Sequence, residues 1–179
     1  MSSQSIFTVP DEVTFEQAIA LTQTFLDEVA QGNLPEAVIS QTIAALVSNQ
    51  NGARGFFVTY LTGDSTLADQ PSEAVLTALR SQPELVADLL VKNLAMSTAM
   101  IMTHTRNQNP DLAVGSTRVQ QRTDRLISLL HLIPVQIRLQ QLLRAITTGS
   151  GADQAFLTRW GYDAEQQQSI QQALQRALT

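Results

Sequence analysis

The sequence contains no cysteine. That excludes disulfides, thiolate nucleophiles, zinc–cysteine sites, iron–sulfur clusters and thioether-linked cofactors. It also fits a reducing compartment, so a cytoplasmic setting is expected. Lysine occurs once, at Lys92, and there are nine aromatic residues, six of them Phe. A single lysine in a chain of net charge −5 disfavours electrostatic capture of nucleic acid, and no aromatics interleave with the arginines as a stacking platform would need. The N-terminal Met1–Phe7 stretch has neither a basic residue nor an apolar run, so it does not read as a signal peptide. The most apolar stretch, 85–102, is interrupted by Asp88, Lys92, Asn93, Ser97 and Thr98 and reads as a buried core helix, with no membrane insertion expected.

What the chain does have is apolar content of 44% over 179 residues, enough for a packed core without metal or disulfide staples. Charge is unevenly spread. Residues 1–91 hold eleven acids and two bases, whereas 92–144 hold two acids and seven bases. Glutamine is abundant, with 21 residues clustered toward the end (166–168, 171, 172, 175), so much of the surface is solvated by neutral amides.

Hydrophobic periodicity and punctuation give eight or nine helices and no convincing pair of strands. Residues 1–12 read as a flexible arm and 13–179 as one all-helical domain. Thr14-Phe-Glu-Gln17 and Asp163-Ala-Glu-Gln166 have the form of capping boxes. Pro35 and Pro83 each sit where a helix starts, since a first-turn proline loses no hydrogen bond. Asn49–Gly52 reads as a stop for the helix before it, and Ser116 as the cap of a helix running to about Leu132. The segment 56–61 is aromatic and β-branched enough for a strand. A short buried helix fits its length equally well, and no partner strand is at hand to satisfy an extended backbone. The fold expected is all-α, a multi-helix bundle-like domain around a central buried helix at about 83–106.

The segments Gly52-Ala-Arg-Gly-Phe-Phe-Val-Thr-Tyr-Leu-Thr62 and Leu90-Val-Lys-Asn-Leu-Ala-Met-Ser-Thr-Ala-Met100 resemble stretches of an uncharacterised protein family of oxygenic photosynthetic bacteria. The resemblance implies a bacterial, cytoplasmic origin and attaches no activity, cofactor or catalytic residue.

Two functional readings remain. Arg118, Arg122 and Arg125 are spaced by four and three, which puts three guanidinium groups on one helical stripe. Arg54, Phe57 and Tyr60 are of the types that anchor interfaces. Together these predict a non-catalytic helical interaction or scaffold protein that binds a protein partner or a second copy of itself. The alternative is a small-molecule-binding protein or enzyme whose pocket, in the bundle interior, is lined by Asn93, Ser97, His104 and Arg106. Ser97 and His104 lack a third, orienting group, so no catalytic residue is assigned. The two histidines lie on different helices, with no carboxylate three or four residues from His104, so neither metal site nor cofactor is expected.

Overall fold

The computed structural model describes residues 7–179, so the first half of the expected arm lies outside the described residues. Among the described residues there are nine α-helices, one 3-10 turn at Thr66–Ala68, and no strand. The chain divides into two compact units, Met1–Val86 and Ala87–Thr179. The division falls in the first turn of a helix, where neither glycine nor a polar linker marks it. A reading of one domain over 13–179 has no signal at that place.

The first unit contains α1 (Phe15–Ala30), α2 (Glu36–Leu46), α3 (Gln50–Thr62) and α4 (Glu73–Leu79). The predicted capping box opens α1: Thr14 Oγ1 accepts from the Gln17 N–H, and Gln17 Oε1 accepts from the Thr14 N–H. α1 packs on α3, and α2 packs on α3 and α4. Phe7 lies edge-on against Phe25 at 5.5 Å, which ties the chain before α1 to the core of this unit.

The 56–61 segment is helical, within α3. Asn49, expected to stop α2, instead starts α3: its side chain accepts from the Gly52 N–H at 2.8 Å. Asparagine serves both purposes, and only the packing of the next helix decides which. Two small residues let α1 and α3 approach closely. A Cβ on Gly55 would stand 2.5 Å from the Ala18 Cβ and 3.0 Å from the Ile19 nitrogen and the Phe15 carbonyl oxygen. Phe56 and Tyr60 stack at 5.1 Å, one turn apart and both buried.

The second unit contains most of α5 (Pro83–Arg106), with α6 (Pro110–Leu130), α7 (Ile133–Thr148), α8 (Gln154–Trp160) and α9 (Ala164–Ala177). α5 has the predicted bounds, and Leu90, Val91, Leu94, Ala95 and Ala99 on it are fully buried. It is long and apolar enough to cross a membrane by length and composition, but half of its most apolar window is buried inside protein. α6 begins at Pro110, six residues before the expected Ser116 cap. Proline in the first turn and Asp111 beside the positive helix end suit that start. Leu112 and Val114 are exposed there, so no apolar periodicity announces the added turns. The second predicted capping box, Asp163 with Gln166, opens α9, which packs on α7 and α6.

Gly55→Ala should destabilise the protein by about 1–3 kcal/mol, because the clash is with backbone and a neighbouring Cβ that cannot swing away. Gly115→Ala, in α6 with nothing within 4 Å of the added methyl, should stabilise it by about 0.5–1 kcal/mol. Denaturant unfolding of the two variants checks both signs.

Candidate functional site

The residues singled out by sequence do not form one surface. Arg122 is only 4% exposed, Arg118 is half-buried, and both are engaged in polar or electrostatic interactions. Arg125 alone of the three is exposed. The expected surface stripe is thus corrected to a row that turns from buried to exposed: the same helical face that spaces the arginines also carries part of α6 inward. Phe57 and Tyr60 are core residues, at 1% and 3% exposure, and offer no interface anchor. Arg54 is exposed and lies over the Phe15 ring at 4.9 Å, a cation–π contact within the first unit.

The four residues of the expected pocket do not converge on either of the clefts described below. Ser97 donates its hydroxyl hydrogen to carbonyls of its own helix, with Asn93 O at 2.7 Å and Leu94 O at 3.2 Å. Asn93 and His104 are half-buried. Arg106 reaches the start of α9, where it pairs with Asp163 and Glu165. That guanidinium, followed by the Gln166 backbone N–H, holds the Asp163 carboxyl below its ordinary range. Elsewhere on α5, polar side chains bind neighbouring helices. Gln120 donates to Thr98 Oγ1 at 2.8 Å, and Gln166 donates to Thr103 Oγ1 at 3.0 Å. Polar groups on a buried helix need such partners.

The most developed charge cluster is legible in the sequence only at Asp88 and Lys92, four apart with the acid first. Arg138 on α7 forms a fork with Asp153, both nitrogen–oxygen distances being 2.8 Å, and reaches Asp88 on α5 at 2.9 Å. Asp88 also takes Lys92 at 2.7 Å. The Asp153 side chain is 8% exposed and that of Arg138 17%. A carboxylate this buried is stable only while its guanidinium partner is present.

Each unit carries a cleft among its described residues. That of the first unit, about 320 Å³, lies beside Asp27, Thr59, Thr62 and Asp64. That of the second unit is larger, about 650 Å³, and chemically more distinctive. The last turns of α6 supply Asp124, Arg125 and Ser128, the residue after α6 is His131, α7 supplies Gln136, and the last turn of α9 supplies Arg176. Spacings of three and three put Arg125, Ser128 and His131 on one side of the α6 end. His131 closes α6 with a left-handed backbone, φ 51° and ψ 40°, a conformation that costs a residue with a side chain about 1 kcal/mol. Burial pushes the Asp124 carboxyl above its ordinary value, and the charge of Arg176 opposes that rise.

The cations of the second unit differ in what they hold. Lys92, Arg106 and Arg138 have ion pairs, Arg159 lies over the Trp160 ring, and Arg118 and Arg122 are engaged. Among the described residues, Arg125, Arg144 and Arg176 have neither a side-chain hydrogen bond, an ion pair nor a ring contact. Two of these three meet at the larger cleft. Arg125 is legible in the sequence. Arg176 is not, because it is brought there by the docking of a glutamine-rich helix with no distinctive motif.

Removing the Arg138 guanidinium (Arg138→Ala) should cost about 3 kcal/mol of stability, measured by denaturant unfolding, because Asp153 is left buried and unpaired. Asp124 has the opposite sign. Its raised carboxyl means that ionising it weakens the fold, so its contribution falls as pH rises above the ordinary value of 3.8. Asp124→Asn should therefore raise the thermal midpoint near neutral pH and leave it unchanged below the ordinary carboxylate range.

No curated protein and no solved structure matches the chain significantly. The family model described as Uncharacterised conserved protein UCP020893 matches residues 14–177, nearly the whole chain. The chain therefore belongs to the Uncharacterised conserved protein UCP020893 family.

Proposed function

We propose that this is a non-catalytic helical interaction protein that binds an acidic segment of a partner protein through the outer face of α7. The observation that carries this reading is a solvent-facing stripe of unusual composition. Ile133, Ile137, Gln140 and Arg144 recur at spacings of four, three and four, and all four are exposed, Ile133 at 74% and Ile137 at 48%. The buried residues Val135, Leu139, Leu142 and Ala145 occupy the opposite side of the same helix. The stripe is thus an additional apolar surface, beyond the one that seats α7 on its neighbours. Covering what remains exposed of each isoleucine is worth about 1–2 kcal/mol.

Charge supplies the partner's chemistry. Arg144 stands at one end of the stripe, and Gln136, on its flank, shares the larger cleft with Arg125 and Arg176. These three arginines are without side-chain hydrogen bonds or ion pairs among the described residues, so the face offers apolar contact beside uncommitted positive charge. An acidic, apolar segment complements both. Arg125 is the part of the expected arginine row that this reading retains.

This reading gives no catalytic role to the histidines or to Ser97. Neither His104 nor His131 hydrogen-bonds a hydroxyl or carboxylate among the described residues, and the Ser97 hydroxyl is committed to backbone carbonyls. The likeness of 52–62 and 90–100 to a family of oxygenic photosynthetic bacteria, and with it a bacterial cytoplasmic setting, belongs to the same proposal.

An array of amphipathic Glu/Leu peptides, set against the same peptides with Lys in place of Glu, tests it. The wild-type protein should retain the acidic set selectively. Ile137→Glu should lose that binding by about tenfold or more while unfolding within about 0.5 kcal/mol of wild type, since the side chain is already exposed. Equal retention of both sets, or an unaffected Ile137→Glu, would remove the reading. Concentration-dependent dimerisation abolished by the same substitution would make a second copy the occupant.

A further inference from the structure

The larger cleft, whose Arg125 and Arg176 also flank the α7 face, has a chemistry of its own. We infer that it binds a small organic molecule through an oxyanion group, a phosphate ester or a carboxylate, gripped by Arg125 and Arg176. Two guanidinium groups line one concavity of about 650 Å³, and neither has an ion-pair or hydrogen-bond partner among the described residues. Arg176 attracts the Asp124 carboxyl across the cleft without forming an ion pair with it, and Arg125 has no acid within ion-pair range among the described residues, so the donor forks of both guanidinium groups are unfilled. The other arginines of this unit show the alternative, since Arg106 and Arg138 each hold two carboxylates. A planar fork of N–H donors matches a carboxylate or phosphate oxygen pair and binds it with charge-assisted hydrogen bonds.

The remaining lining narrows the ligand. Asp124 supplies a side-chain carboxylate to the cleft, and it lies in the electrostatic range of Arg176. A ligand that carries a hydroxyl or amine beside its oxyanion would donate to it. The Ser128 hydroxyl hydrogen is given to the Arg125 carbonyl at 2.8 Å, which leaves its oxygen as an acceptor. Gln136 contributes an amide with both donors and an acceptor, and the His131 ring stands where α6 ends. The volume falls within the roughly 300–1,000 Å³ usual for small-molecule sites and exceeds what a bare inorganic ion fills. The predicted occupant is therefore an organic anion with polar substituents.

The test is an NMR titration of the full chain with inorganic phosphate, glucose 6-phosphate and citrate, following the His131 ring and the arginine side-chain N–H signals. Saturable shifts of His131, Arg125 and Arg176 are expected for at least one organic anion, and tighter than for inorganic phosphate. The stronger of glucose 6-phosphate and citrate tells whether phosphate or carboxylate is preferred. Arg125→Gln and Arg176→Gln should each weaken binding about tenfold or more, as loss of a charge-assisted hydrogen bond does. Arg144→Gln removes an equally uncommitted charge away from the cleft and should leave the affinity unchanged. Ile137→Glu should also leave it unchanged, which separates this site from the partner face. Shifts that grow linearly without saturating would overturn the inference, as would equal weakening by Arg144→Gln, which would mark a nonspecific charge effect.

Discussion

The Arg138 guanidinium joins three elements of the second unit, and the arrangement of that unit depends on it. Its fork on Asp153 fixes the chain just before α8, and its reach to Asp88 fixes α7 against α5. Lys92 completes the neutralisation of Asp88 and lies 6.0 Å from the Phe156 ring of α8. Buried charges of this kind are costly unless they are paired and hydrogen-bonded. Here they are, and the geometry they demand leaves α7 little freedom to rotate.

That constraint decides what α7 shows to solvent. Arg138 sits on the same side as Val135, Leu142 and Ala145, so the opposite stripe with Ile133 and Ile137 must face outward. The packing of α9 on α7 and α6 then brings Arg176 to the end of α6, where Arg125 and Asp124 already stand. The apolar stripe thus follows from the Arg138 tie, and the cleft from the docking of α9 on the helix so oriented and on α6. The first unit is built differently, on close approach of small residues. Gly55 against Ala18 lets α3 sit on α1, and the aromatic residues of α3 fill its core.

Much of this architecture is legible locally. The bounds of α5 and both capping boxes follow from spacing and from backbone groups that need partners, whereas 56–61 is compatible with helix or strand and only the lack of a partner strand leans toward the helix that forms. Asn49 and Ser116 mislead because the same residue types serve as stops, caps and plain helix residues, and only tertiary packing chooses. The site is less legible. An arginine row spaced by four and three says which residues share a stripe, but not that Arg122 is buried while Arg125 is not. Arg138 pairs with Asp153 across 15 residues of sequence and Arg176 acts electrostatically on Asp124 across 52, separations at which no helical periodicity operates. Phe57 and Tyr60 stand out by residue type, and their burial is the ordinary fate of scarce aromatics in a domain that must fill a core.

The central claim is that the charges at the larger cleft are held for a ligand, whereas those at Arg138 are held for the fold. Chemical denaturation of ligand-free Arg125→Gln/Arg176→Gln beside Arg138→Gln separates the two most directly. Residues kept for binding contribute little to stability beyond the attraction of Arg176 for Asp124. The double variant should unfold close to the wild-type denaturant concentration, while Arg138→Gln should unfold well below it. A double variant as destabilised as Arg138→Gln would show that Arg125 and Arg176 are structural and would contradict the account.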